Sequence, residues 1–88
     1  MLPEPHILAH KYAARNRWDI LSSSICGCFY CLRTFDSTLI EDWVDDVDGV
    51  GMTALCPLCG IDSVLGSHSG YPVEEGFLRK MKEYWFET

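Results

Sequence analysis

Apolar side chains recur with a helical spacing near both ends of this chain. Near the N-terminus, Leu8 and Tyr12 are four positions apart and predict a helix over residues 4–17. Near the C-terminus, Phe77, Met81 and Trp85 repeat at every fourth position and predict a helix over residues 73–86. We interpret the C-terminal stripe as core or interface, and its large aromatic side chains could also serve a dimer or partner contact.

A third helical spacing follows Phe35. Ile40, Trp43, Val44 and Val47 have the spacing i, i+3, i+4, i+7, which predicts a short amphipathic helix. Its opposite face is acidic. Such a face is ordinarily just solvated, and the alternative is an acidic surface that meets a basic partner.

The remaining segments indicate extended structure. Residues 18–25, 50–55 and 61–65 are predicted as extended segments or strands that lead into and out of turns. Together the elements predict an α+β fold. The expected architecture is a single domain over residues 1–88, with a β core at 26–66 flanked by about three helices.

Four cysteines form two C-x2-C pairs, Cys28-Phe-Tyr-Cys31 and Cys56-Pro-Leu-Cys59. In each pair, one tight turn directs two thiolates at the same cation, and two pairs supply the four sulfurs of a tetrahedral Zn2+ site. The 24 residues between the pairs slightly exceed the usual separation. We therefore predict one structural Zn2+ per chain, bound by these four cysteines, which makes the β core at 26–66 zinc-ribbon-like. Such a metal matters in 88 residues, because a core of that size provides little stability.

Cys26 is the fifth cysteine, and its C-x-C spacing to Cys28 also allows chelation. We favour Cys28 as the ligand and interpret Cys26 as a small buried apolar residue or a spare thiol. Disulfides are the alternative for the whole set. The N-terminal residues show neither the basic nor the apolar region of a secretory signal, and five cysteines are an odd number, so we expect a reducing, cytoplasmic setting.

The three histidines do not indicate catalysis. His6 and His10 are four positions apart, as two ligands on a helix would be, but HExxH is absent and we interpret them as solvated or partly buried. A role of His68 in its serine-rich loop stays open. Four cysteines close a zinc site to substrate, so we expect a protein that is not an enzyme.

Charge limits the partner. The formal net charge is −6. Four thiolates and one dication add −4 + 2 = −2, for a total of about −8. This predicts a protein-interaction module, meaning an adaptor, inhibitor or immunity-type protein, whose partner has a basic surface. A nucleic-acid-binding zinc ribbon with a regulatory role is the alternative, since Arg15, Arg17, Arg33, Arg79 and Lys80 would form a basic face if they converged. No segment is apolar enough to cross a membrane, and homo-oligomers stay open.

Three segments resemble a family of small uncharacterised bacterial cytoplasmic proteins with a zinc-ribbon-like core: CGCFYCLRTF, TALCPLCGIDSVLG and SGYPVEEGFLRKMKEYWF. The resemblance covers residues 26–86 and excludes the predicted N-terminal helix. It implies a bacterial or phage origin, a cytoplasmic setting and the same four zinc ligands. It implies no biochemical activity.

Overall fold

The computed structural model describes residues 4–87, so the two ends of the predicted 1–88 domain, residues 1–3 and 88, lie outside it. Its strands are β1 (Cys26–Cys28), β2 (Thr34–Phe35), β3 (Trp43–Val47), β4 (Val50–Ala54) and β5 (Val64–Gly66). Its α-helices are α1 (Pro5–Leu8), α2 (Arg17–Leu21) and α3 (Glu75–Trp85), and 3-10 turns span Ala9–Ala13, Ser37–Leu39 and Ser67–Ser69. The predicted α+β class is confirmed.

The strands form two small sheets. In the first sheet, β1 lies in the centre and pairs antiparallel with β2 on one side and β5 on the other. The second sheet is the hairpin formed by β3 and β4. Cys28 is the last residue of β1, and the second cysteine pair lies between β4 and β5. The pairing of β1 with β5 therefore brings the two cysteine pairs near each other.

The three-stranded sheet separates two apolar clusters. On one side Val64 and the cysteines pack with Ile20, Phe35 and Ala54. On the other side Leu65 packs with Phe29 and with residues of the terminal helices. Adjacent β5 residues thus serve opposite faces, as the alternation of side chains along a strand requires. We call the first cluster, which contains the cysteines, the metal-side cluster, and it positions the candidate site.

The continuous helix predicted over residues 4–17 is wrong. The helical segment ends at Ala13, and Arg15 adopts φ +50 before α2 begins. Long-range hydrogen bonds explain the break, because the buried Asn16 side chain donates to the carbonyl of Val64 (2.9 Å) and accepts from the amide of Ala54 (3.1 Å). Satisfying these buried groups outweighs local helix propensity. The extended segment predicted over residues 18–25 is also wrong, because α2 covers Arg17–Leu21 and the first strand begins only at Cys26.

The helix predicted after Phe35 is also wrong. Only a 3-10 turn forms there, begun by Asp36, whose carboxylate accepts from the amide of Thr38 (2.9 Å). The apolar residues that follow belong to β3. Asp48 (φ +52) and Gly49 (φ +82) make the two-residue turn into β4. An Asp-Gly turn with two left-handed residues matches the twist of a hairpin, so β3 pairs with β4 and does not coil.

The N-terminal helical segment, residues 5–13, and α3 meet on the far side of the sheet. Leu78 and Met81 of α3 are fully buried there, and α3 lies inside the predicted range 73–86. The ring of His10 stacks on Trp85 with 3.8 Å between centroids, and His6 meets Tyr84 edge-on at 5.6 Å. These two histidines therefore pack against aromatic rings of the C-terminal helix.

Candidate metal centre

The first cysteine turn is built by backbone hydrogen bonds. The amide of Leu32 donates to the carbonyl of Cys28 (2.8 Å), and the amide of Cys28 donates to the carbonyl of Arg33 (3.0 Å). Inside the turn, the amides of Tyr30 and Cys31 point at the Cys28 sulfur, at 3.3 and 3.5 Å. Amide donors stabilise a thiolate, so the turn both shapes the site and lowers the cost of its charge.

The second cysteine turn repeats this arrangement residue for residue. The amide of Gly60 donates to the carbonyl of Cys56 (2.9 Å), and the amide of Cys56 donates to the carbonyl of Ile61 (2.9 Å). The amide of Leu58 points at the Cys56 sulfur at 3.4 Å. The first cysteine of each turn is buried and the second is half-buried. We call these two turns knuckle 1 (residues 28–33) and knuckle 2 (residues 56–61).

The four predicted ligands, Cys28, Cys31, Cys56 and Cys59, come together, with all of their sulfurs within 4.8 Å of one another. Two sulfur pairs join the knuckles: Cys28 to Cys59 at 3.6 Å and Cys31 to Cys56 at 3.8 Å. Four sulfurs at 2.3 Å from one central ion would be about 3.8 Å apart in a regular tetrahedron. No disulfide is formed among the five cysteines. The cluster therefore fits a metal ion.

Proton affinity differs within the cluster. Burial works to raise the pKa of Cys31, but hydrogen bonds from the main chain and guanidinium of Arg33 outweigh it and lower that pKa to about 7. Burial raises the pKa of Cys28, and it raises that of Cys59 to about 12. Four thiolates this close repel one another, so a cation is needed to hold all four in the ionised form.

Two side chains outside the cysteine pairs support the site. The hydroxyl of Ser63, which is buried, lies 3.0 Å from the Cys28 sulfur and can donate to its thiolate. Arg33 interacts with Cys31 and also donates to the carbonyl of Leu58 (3.4 Å), linking knuckle 1 to knuckle 2. Sequence reasoning missed both roles. Arg33 is the last residue of knuckle 1, two positions after Cys31, whereas nothing local marks Ser63.

Cys26 is outside the ligand group. It is fully buried in the metal-side apolar cluster, and burial, reinforced by the charges of Asp36 and Asp19, raises its pKa to about 12. A thiol in this setting stays protonated at neutral pH and packs as a small apolar side chain. This placement agrees with the interpretation favoured from the sequence.

His68 is placed away from the metal centre. Its Nδ1 lies 2.8 Å from a carboxylate oxygen of Asp19, and its main-chain amide donates to the hydroxyl of Ser23 (2.9 Å). The histidine side chain is largely exposed. These contacts fix the 3-10 turn at residues 67–69 against α2.

No family model, curated protein or solved structure matches this chain. The resemblance to small bacterial cytoplasmic proteins therefore stays a prediction. Within residues 4–87, no helix is long and apolar enough to cross a membrane.

Proposed function

We propose that the four-cysteine centre binds one structural Zn2+. A tetrahedral set of four thiolates suits zinc or iron, and zinc is the usual structural ion of two C-x2-C turns. Four sulfur ligands leave no coordination position for substrate, which supports a structural role and a protein that is not an enzyme. The observation that carries this proposal is the set of sulfur separations, 3.6 and 3.8 Å between the knuckles.

The remainder of the proposal is that the chain acts as an acidic protein-interaction module in a reducing, cytoplasmic setting. Between Arg33 and Arg79 there is no lysine or arginine, and nine of the thirteen acidic residues lie in that segment. Glu41, Asp42, Asp46 and Asp48 are exposed at and beside the β3–β4 hairpin. Among residues 4–87, the observed ion pairs are Glu4 with His6, Asp19 with His68 and Glu75 with Arg79, so these hairpin acids have no cationic partner within that part of the chain. An unpaired acidic surface attracts a basic partner and accelerates association at low salt.

The contacts of the basic residues favour protein binding over nucleic-acid binding. Arg17 donates to the carbonyl of Gly51 (2.8 Å) and stacks on Trp43, while Arg33 is bound to the knuckles. Arg79 pairs with Glu75 on its own helix. Three arginines thus lie against three different elements, and each is already engaged. Phosphate binding needs basic side chains that converge and are free to neutralise charge.

Native mass spectrometry tests the metal. Protein purified without added metal is weighed before and after chelation, and the cysteines are counted by alkylation after denaturation. We expect the mass of one zinc ion per chain, lost on chelation, and five reactive thiols. Iron, no metal, or a mass lowered by paired oxidation of cysteines would contradict the zinc proposal.

Crosslinking in a nuclease-treated extract of the source cell tests the interaction role. We compare the native chain with Asp46→Asn/Asp48→Asn and with a control of equal charge change, Glu83→Gln/Glu87→Gln. Asparagine tolerates the left-handed conformation of Asp48, so the hairpin variant keeps its turn. We expect the hairpin variant to lose the crosslinked partner protein and the control variant to retain it. Rising salt should lower the crosslinking yield of the native chain and of the control variant. Equal yields from the two variants would contradict a role for the acidic hairpin.

A further inference from the structure

A surface groove lies beside knuckle 2. It has a volume of about 260 Å³. Its walls come from the 3-10 turn before β3, the entry to β3, and the exit of β4 into knuckle 2. We call it the knuckle groove, and its lining residues are Leu39, Glu41, Asp42, Leu55, Pro57 and Leu58.

The knuckle groove is held in a fixed shape from both sides. The amide of Leu55 donates to the carbonyl of Asp42 (3.0 Å), which continues the β3–β4 pairing under the groove floor. Leu58 belongs to the metal turn, where its amide points at the Cys56 sulfur (3.4 Å) and its carbonyl accepts from Arg33 (3.4 Å). A ligand that enters a preformed groove loses less free energy to ordering the protein.

Two leucines on the rim are uncovered. The exposed fractions are 52% for Leu39 and 43% for Leu58. Single exposed leucines are common, but these two line one concavity together with Leu55 and Pro57, and a concave apolar surface is typical of a side-chain-binding pocket.

Charge identifies the occupant. Glu41 and Asp42 line the same groove, both exposed, and neither has an ion-pair partner among residues 4–87. The acidic hairpin continues from them. Arg33 donates to the carbonyl of the groove residue Leu58, but its guanidinium is already engaged there and with Cys31. A lysine or arginine beside an aliphatic side chain complements this combination of acids and leucines.

We infer that the knuckle groove binds a segment of a partner protein in which an aliphatic side chain stands next to a lysine or arginine. The aliphatic group would sit between Leu39 and Leu58, and the cation would face Glu41 and Asp42. This inference rests on the proposed interaction function and adds the surface and the chemistry of its partner.

Peptide titration followed by 15N NMR tests it on the zinc-loaded chain. The probe is acetyl-Lys-Leu-Lys-Leu-Lys-amide, with two controls of the same length in which glutamate replaces each lysine or serine replaces each leucine. The variants are Leu58→Ser, which removes a groove wall, and Glu41→Gln/Asp42→Asn, which removes the groove charges. Leu21→Ser is the matched control, because Leu21 is 50% exposed on α2 and lies outside the groove.

We expect the probe to shift groove amides and both control peptides to bind more weakly. Leu58→Ser should weaken probe binding about tenfold, the effect of about 1.4 kcal/mol of lost apolar burial. Glu41→Gln/Asp42→Asn should weaken it roughly threefold, as two exposed ion pairs allow. Leu21→Ser should bind as the native chain does. Unchanged zinc content and dispersed spectra verify that each variant is folded.

Four titration results would overturn the inference. They are equal probe binding by Leu58→Ser, shifts confined to residues outside the groove, equal binding of the serine peptide, and no binding at millimolar probe. Self-association of the free chain that Leu58→Ser abolishes would also overturn it, since a second copy would then be the occupant. The hairpin crosslinking experiment tests the proposed interaction function separately. If the hairpin variant loses its crosslinked protein while the peptide does not bind the groove, the interaction function stands and the groove inference is wrong.

Discussion

Knuckle 1 and knuckle 2 have the same backbone conformation and differ in their side chains. Each has the same two main-chain hydrogen bonds and the same amide-to-sulfur contact, and each places its fifth residue in the left-handed region. That residue is Gly60 (φ +81) in knuckle 2 but Leu32 (φ +65) in knuckle 1. A left-handed conformation costs a residue with a Cβ about 1–2 kcal/mol, and glycine avoids this cost.

Packing explains why leucine is tolerated in knuckle 1. The Leu32 side chain packs on the apolar cluster that holds Phe29 and the terminal helices, whereas nothing lies within 4 Å of a Cβ placed on Gly60. Knuckle 1 is joined to the core and supported by Ser63, and knuckle 2 projects toward solvent and forms the groove. The shape of each knuckle is thus set by its main-chain hydrogen bonds, while its side chains are free to serve the core or the surface.

The largest expected effect is one that the two knuckles share. Cys28→Ser and Cys56→Ser each remove one ligand from the same ion, and zinc binding contributes on the order of 10 kcal/mol to folding in zinc-finger peptides. We expect both variants to lose the metal and to unfold, as judged by metal content and by NMR dispersion.

Cys26→Ser is the control for that experiment. It places a hydroxyl in the apolar cluster at a fully buried position, at an expected cost of about 1–3 kcal/mol, with one metal ion retained. A folded, metal-containing Cys56→Ser variant, or metal loss in Cys26→Ser, would show that the ligand set is wrong.

The next effect distinguishes the knuckles. Ser63 contacts the Cys28 sulfur at 3.0 Å, and its side chain is buried. Ser63→Ala should lower the free energy of unfolding by about 1.5–3 kcal/mol, the range for a hydrogen bond to a charged group. Urea denaturation of the zinc-loaded protein measures it. An unchanged midpoint would mean that Ser63 does not support the Cys28 thiolate.

The smallest effects come from exchanging the left-handed residues. Gly60→Ala should lower stability by about 1 kcal/mol through backbone strain alone, since the added methyl group meets no neighbour. Leu32→Gly relieves strain but loses packing and adds unfolded-state entropy, so we expect a net change below about 1 kcal/mol. Paired thermal melts of the two variants test this. A greater loss for Leu32→Gly than for Gly60→Ala would show that packing dominates in knuckle 1.

The metal turns were predictable from sequence because each is local. The C-x2-C spacing, and Gly60 directly after Cys59, determine geometry within six residues. The three-stranded sheet, in which β1 pairs with β5, is consistent with the predicted zinc-ribbon-like core.

The errors come from signals that were ambiguous or distant. The spacing of Trp43, Val44 and Val47 fits a helix and a hairpin equally, and Asp48-Gly49 was the local signal that favoured the hairpin. Val47 is 48% exposed, so this apolar side chain does not belong to a buried helix face. The break in the N-terminal helix depends on Asn16, whose partners lie 38 and 48 positions away. No local pattern contains that information.

X-ray absorption at the zinc edge tests the central claim most directly. The protein is purified without added metal, and the spectrum reports the type, number and distance of the atoms bound to the ion. The two-knuckle arrangement predicts four sulfur atoms at about 2.3 Å and no lighter ligand. A nitrogen or oxygen atom in the shell, or fewer than four sulfurs, would contradict a closed centre formed by Cys28, Cys31, Cys56 and Cys59.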